Sequence, residues 1–260
     1  MPIMQLAEAA AGVCDLLWMI DASLPEMVEM ADLLNRFGPV VDIGGLDVEQ
    51  MTKAVTAYRP GGVVTYLDAG MVGYAEVADA LGLPFHAVAC AEALTDKSRQ
   101  RQVLADAGLP MPACRVIRPD QHEDQLGEAE AEVGWPAILK PRSAQGSRYT
   151  FLAHDRSELS RLLDVLGPDR PDMVLEGYIA DDPARLDGSY AAYVSVESLV
   201  ASGAVSHLAL TGRFPLAENF RETGFFIPAA LADAERTAVL ETASAAVEAI
   251  GITIGCLHTP

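Results

Sequence analysis

Residues 135–150 read WPAILKPRSAQGSRYT. Three apolar residues, Ala137, Ile138 and Leu139, lead straight into Lys140. Pro141 then ends the extended run, a small polar loop follows, and an apolar segment restarts at 149–153. The pattern predicts a buried strand over 136–140 that aims an ammonium out of its end. A cation there is costly to bury unless an anion partners it, and an isolated lysine more often snorkels to solvent. Small residues with exposed backbone N–H groups beside a lysine suit a phosphate. Lys140, Ser143, Gly146 and Ser147 are therefore candidate phosphate-binding residues.

Working outward, the pattern at 94–108 (LTDKSRQRQVLADAG) predicts one helix. Thr95 or Asp96 would cap it, and Gly108 with Pro110 would stop it. Lys97 falls in its first turn, where a cation opposes the helix dipole unless both share an anion. Strands are expected over 111–118, 149–153 and 173–175. The last ends in Glu176 and continues as Gly177-Tyr178-Ile179, a hinge whose backbone suits the edge of an adenine. Asp155 and Glu158 pair as caps for a helix over 155–166. A hairpin is expected from 192–200 and 204–211, turning at Ala201-Ser202-Gly203. A helix over 233–250 and a last strand ITIGCLH (252–258) complete an α+β half with antiparallel pairing.

The first ninety residues alternate differently. The run 13–20 (VCDLLWMI) reads as a strand buried on both faces. Ser23 and Glu26 form a capping-box pattern around Pro25, with apolar residues at 27, 30, 31 and 34. Strand VVDI (40–43), a helix over 47–58, strand VVTYL (63–67) and a helix ending at Gly82 follow. Such βαβαβα order predicts a parallel sheet with right-handed crossovers. The first βα turn, MIDASLPEM, lacks G-x-G-x-x-G, which argues against a dinucleotide-binding enzyme. The expected domains are 1–92, parallel α/β; 93–175, a small subdomain carrying the phosphate loop; and 176–260, the start of a larger subdomain.

The 260 residues are half hydrophobic and carry a formal charge of -19. That balance repels nucleic acid and anionic lipid, since binding either requires Lys and Arg to displace counterions. Cysteines 14, 90, 114 and 256 show no metal-ligand spacing and read as reduced thiols. No basic leader is seen and no apolar run approaches ~20 residues, so a cytoplasmic protein without a membrane span is expected.

Taken in order, Lys97 in TDKSRQRQVLADAGLPMP, Lys140 in WPAILKP, the Ser/Gly loop, LEGYI and VSVE resemble the ATP-grasp superfamily. The stretch 63–85 looks like the end of the domain that precedes an ATP-grasp fold. Residues 192–228 further resemble carboxylate–amine ligases of the bacterial dipeptide-forming type, the L-amino-acid ligases. Glu222-Thr223 and Pro228 match their E-T-x-x-x-x-P pattern. The resemblance covers essentially the whole chain. It implies a Rossmann-like α/β N-terminal domain followed by an α+β ATP-grasp domain, with ATP and Mg²⁺ as cofactors.

By that resemblance Lys97 and Lys140 hold phosphates, 143–147 close over the γ-phosphate, and Glu176, Tyr178 and Ile179 hold adenine. Glu222 orients a substrate amine and Arg213 pairs with a carboxylate. The implied chemistry is amide formation through an acyl phosphate, with small carboxylate and amine substrates, such as amino acids, and a possible homodimer. Three departures stand out. Tyr193 replaces a ribose-binding acid. Phe225 replaces a histidine, implying a more apolar substrate. Pro260 stands where relatives place a metal-binding Glu after His-Thr. The metal ligands are therefore expected beyond Pro260 and the fold is expected to be truncated; the alternative is a truncated or degenerate ATP-binding module without catalysis.

Overall fold

The computed structural model describes residues 3–120, 123–144, 148–181 and 190–260. Gly146 and Ser147 lie outside them. The chain divides into the units Met1–Val88 and Ala89–Pro260.

The first unit contains α1 (Ile3–Ala10), β1 (Trp18–Ile20), α2 (Pro25–Leu34), β2 (Val40–Asp42), α3 (Val48–Thr56) and α4 (Met71–Leu81). β1 and β2 are parallel, with Trp18 opposite Val40. Met51, Val55 and Val77 form the core, with Leu17 and Met19 packed on it.

Three local expectations are corrected here. The strand expected over 13–20 is formed only at its end. Val13 and Cys14 instead donate their N–H groups back to Ala10, which leaves Val13 81% exposed. The strand expected over 63–67 is not formed. Thr65 Oγ1 accepts from Leu67 N and donates to Leu67 O, both at 3.1 Å, a local side-chain turn that competes with ladder bonds. Among the described residues this sheet therefore has two strands. Finally, Ser23 does not cap α2; its hydroxyl donates to Asp21 Oδ1 at 2.6 Å, and the helix begins at Pro25 without a side-chain cap. The capping box forms at α3, where Asp47 and Gln50 bond reciprocally at 2.8 and 3.0 Å.

The second unit begins within α5 (Val88–Thr95), followed by α6 (Lys97–Asp106), β3 (Cys114–Ile117), α7 (Glu123–Val133), β4 (Ala137–Pro141), β5 (Phe151–Ala153), α8 (Arg156–Leu166) and β6 (Met173–Gly177). The single helix expected over 94–108 is two. Asp96 interrupts it in extended conformation and accepts from Ser98 N and Arg99 N, while Thr95 Oγ1 donates to Ala91 O. The strands form an antiparallel sheet ordered β3-β6-β4-β5. Leu126, Ala129, Leu159 and Leu163 of α7 and α8 pack on Ile117, Ala137, Leu139, Met173 and Leu175.

A second antiparallel sheet, ordered β10-β7-β8-β9, combines β7 (Val194–Ala201), β8 (Ala204–Arg213), β9 (Phe225–Phe226) and β10 (Gly255–Thr259). Ser202 and Gly203, at φ 50° and 79°, make the tight β7–β8 turn. Helix α9 (Asp233–Ile250) lies on this sheet through Ala243 and Val247. His207 ties the two together, bonding Ser198 at 2.9 Å and Ser244 at 2.8 Å. Among the described residues no helix is long and apolar enough to cross a membrane.

Candidate functional site

The β4–β6 register sets Ile138 opposite Glu176 and Lys140 opposite Val174. Side chains alternate across a strand, so Lys140 and Glu176 become diagonal neighbours on the face opposite the Leu139–Leu175 core. Lys140 Nζ lies 3.0 Å from Glu176 Oε1. Arg101 of α6 completes the cluster, with Nε 2.9 Å from Oε2 and a second nitrogen 3.4 Å from Oε1. Glu176 is only 6% exposed. Burial pushes its carboxyl up, but Lys140 and Arg101 more than offset this and hold it below the ordinary range.

Arg101 was not singled out from sequence. The available signal was its spacing: it follows Lys97 by four residues, one turn along the same helix face.

Lys97 opens α6 beside the loop after β4. Its backbone N–H donates to Arg142 O at 3.1 Å and its ammonium to Ala144 O at 2.8 Å. Arg142 fastens this junction. It reaches Asp96 Oδ2 at 2.6 and 2.9 Å and Asp172 Oδ2 at 3.2 Å. Burial raises the Asp96 carboxyl, but bonds from Arg142 and from the α6 backbone bring it below its usual value. Lys97 is thus docked onto the loop that leaves β4 behind Lys140, with Ser143 exposed in that loop. At the hinge, Gly177 N donates to Ala113 O at 3.0 Å and Tyr178 N to Pro136 O at 3.1 Å. Ile179 beyond them is 73% exposed.

The second sheet gathers the other candidates. Arg213 is 4% exposed. Its guanidinium donates to Ser195 Oγ at 2.8 Å and His258 Nε2 at 3.1 Å. Because Nε2 accepts, His258 carries its proton on Nδ1 and donates to Glu197 Oε1 at 2.9 Å. Ser195 and Thr211 donate to the same oxygen at 3.1 and 3.3 Å. Arg213 Nε is buried without a hydrogen-bond partner among the described residues. Glu222 Oε1 lies 3.7 Å from it and accepts from Tyr193 OH at 3.4 Å. Burial and then the Glu222 charge push the Tyr193 phenol up. The Phe225 ring lies 5.6 Å from the Arg213 guanidinium. Glu197 and His258 lie in the segments VSVE and ITIGCLH, where no local spacing marks their part in this cluster.

Among the described residues no three His, Cys, Asp or Glu side chains converge as a metal cage.

No protein-family model matches the chain. It is similar to the alanine–anticapsin ligase of Bacillus subtilis (strain 168), 26% identical over 228 residues covering 82% of this chain and 47% of that protein. Among solved structures it is similar to the L-amino acid ligase from Bacillus licheniformis, with TM-score 0.64 and 22% identity over 93% of this chain and 61% of that one. It is also similar to the biotin carboxylase domain of the Hydrogenobacter thermophilus 2-oxoglutarate carboxylase, solved with MgADP and bicarbonate; the TM-score is 0.71 at 18% identity, over 97% of this chain and 56% of that one. The chain spans about half the length of the curated relative it matches. The resemblance is to the ATP-grasp superfamily, and over the part of these structures that it covers this chain has their fold.

Proposed function

We propose that this chain carries the nucleotide-holding part of an ATP-dependent carboxylate–amine ligase joining amino-acid-type substrates into an amide or peptide. The observation that carries the reading is the cluster at the ends of β4 and β6. Lys140 is poised on Glu176, Arg101 shares that carboxylate, and Lys97 is docked on the loop between β4 and β5. Two lysines from separate elements meeting one small-residue loop suit a polyphosphate. Lys97, Lys140 and Ser143 would hold the phosphates, and Gly146 and Ser147 belong to the same proposal from sequence. The hinge at Glu176, Tyr178 and Ile179 would hold the base. Since the Gly177 and Tyr178 N–H groups serve Ala113 and Pro136, base contacts fall to the hinge carbonyls and to Ile179.

ATP would supply a γ-phosphoryl group to a substrate carboxylate. An amine then attacks the acyl carbon, phosphate leaves, and the amide nitrogen releases a proton. Closure of the loop over that site would exclude water. Glu222 is assigned to the substrate ammonium. Arg213 is buried and bound to Ser195 and His258, so its part moves from a direct carboxylate fork to the charge standing behind Glu222. The described residues form no magnesium cage.

The test is ADP release that depends on Mg²⁺ and on a carboxylate–amine pair, together with ATP titration of Lys140→Ala. Loss of one charge-assisted phosphate contact, about 1.5–3 kcal/mol, should weaken ATP binding by roughly 10- to 150-fold. Unchanged affinity in Lys140→Ala would refute the phosphate assignment.

A further inference from the structure

A cleft of about 670 Å³ opens in the second unit, lined in part by Phe151, Tyr178, Tyr190, Tyr193 and Phe220. Its size falls within the range of small-molecule sites, ~300–1,000 Å³. We propose that it is the side-chain pocket for an aromatic amino acid, the substrate whose ammonium faces Glu222; this rests on the ligase reading above.

Three observations support the assignment. First, the lining chemistry is selective. Among the described lining residues the only charged group is Asp181, with no Lys or Arg. With no cation among those described residues, the wall is poorly suited to a phosphate, while it offers several π faces. Aromatic pairs favour tilted or offset contacts at ring separations of ~4.5–7 Å. Tyr178 and Phe220 already stand at 6.5 Å and 56°.

Second, the rings are held in place. Tyr190 packs on Phe226 at 4.7 Å, and Phe226 packs on Phe214 at 5.4 Å. A Cβ at residue 212 would overlap the Phe226 ring, so Gly212 is what admits it. Asn219 and Phe220 both adopt left-handed backbone, at φ 60° and 58°. That conformation is unusual for a bulky residue and collects at ligand-binding segments. Here it sets the Phe220 ring in the cleft wall.

Third, the cleft adjoins the proposed amine site. The Tyr193 ring lines the cleft while its hydroxyl donates to Glu222 at 3.4 Å. A substrate ammonium at Glu222 is therefore one ring away from an aromatic-lined space. An adenine base would also stack between such rings. In the reading above the hinge serves the base through its backbone carbonyls and Ile179, which leaves the Tyr178 ring to the cleft. Tyr193, lacking the acid that would take a ribose, is linked to Glu222 and not to the lysines, which favours the substrate.

The experiment is calorimetric titration of the chain, saturated with ATP, using phenylalanine, tryptophan and tyrosine against alanine and serine. The aromatic amino acids should bind at least about tenfold more tightly than alanine, the size of one buried ring contact. Tyr190→Ala removes a half-exposed ring, so folding, checked by the melting temperature, should be preserved; Phe220→Leu is the second variant. Both should remove most of the aromatic preference and leave the ATP affinity unchanged. Equal affinity for alanine and phenylalanine would overturn the pocket assignment. So would variants that weaken ATP binding without changing amino-acid preference, an outcome that would place the base in the cleft. Failure of the unaltered chain to bind ATP would instead sink the ligase reading itself.

Discussion

Arg101→Met tests whether the buried carboxylate of Glu176 depends on two cations or one. In the folded chain Glu176 is 6% exposed and bonded by both Lys140 and Arg101. The Arg101 side chain is itself 23% exposed, so solvent screens the pair only in part. Stripping a buried charge of its whole partner costs ~3–5 kcal/mol. Here Lys140 remains, so the expected loss is that of one charged hydrogen-bonded pair, about 1.5–3 kcal/mol at neutral pH.

The pH dependence has a definite sign. The folded carboxyl titrates below its unfolded value, so its stabilisation is present above that unfolded value, ~4.3, and is lost as pH falls through the folded one. Arg101→Met moves the folded carboxyl upward. The gap between wild type and variant should therefore be widest above about pH 5 and close in acid as Glu176 protonates. Urea denaturation at several pH values measures this gap. A functional arm uses the same variant. With Arg101 gone, Lys140 must serve Glu176 alone, and turning it toward a phosphate strands the carboxylate. ATP affinity should fall about tenfold or more. A variant with wild-type denaturation midpoints between pH 5 and 8 and unchanged ATP affinity would refute the shared-carboxylate argument.

Other expectations follow from the same geometry. Asp96→Ala removes both the α6 cap and the Arg142 partner; since Arg142 is a third exposed, the loss should be near 1–2 kcal/mol, seen as a lower melting temperature together with weaker ATP binding as Lys97 comes loose. Leu139→Ala opens a cavity among Leu159, Leu163 and Leu175 and should cost ~2–5 kcal/mol in denaturant titration. Glu222→Gln should lower the Tyr193 phenol, because one of the causes raising it is the Glu222 charge; ultraviolet titration of tyrosine ionisation, compared with Tyr193→Phe, reads this directly.

What was legible in the sequence was what local patterning determines. The run Ala137-Ile138-Leu139-Lys140 gave a strand with a terminal cation because burial and charge are both visible residue by residue. The β7–β8 hairpin was legible from Ser202-Gly203, since a two-residue turn of that kind needs left-handed backbone. The failures share a cause. VVTYL has strand composition, yet a strand exists only where a neighbour takes its backbone groups, and Thr65 closes that backbone on itself. Composition reports what a segment could bury, while pairing is decided elsewhere in the chain. Helix α7 is not legible in the sequence, because EDQLGEAEAEV shows only a sparse apolar stripe.

The candidate site divides along the same line. Lys97, Lys140 and Glu176 each announce themselves by a local oddity: a cation at a helix start, a cation after an apolar run, an acid closing an apolar strand. Arg101 has no such mark; a helical arginine in a basic run reads as solvated surface. Its role appears only when the β4–β6 register brings Lys140 and Glu176 to one face and α6 lies over it. The same holds for Arg213, which the family resemblance assigns to a substrate carboxylate, a role its planar fork suits. Folding spends that fork on Ser195 and His258 and leaves Nε beside Glu222. Glu222 stands 3.7 Å from a guanidinium that solvent does not reach, while its own side chain is about half exposed. That combination of a fixed cation behind and open space in front is what a residue proposed to receive a substrate ammonium needs.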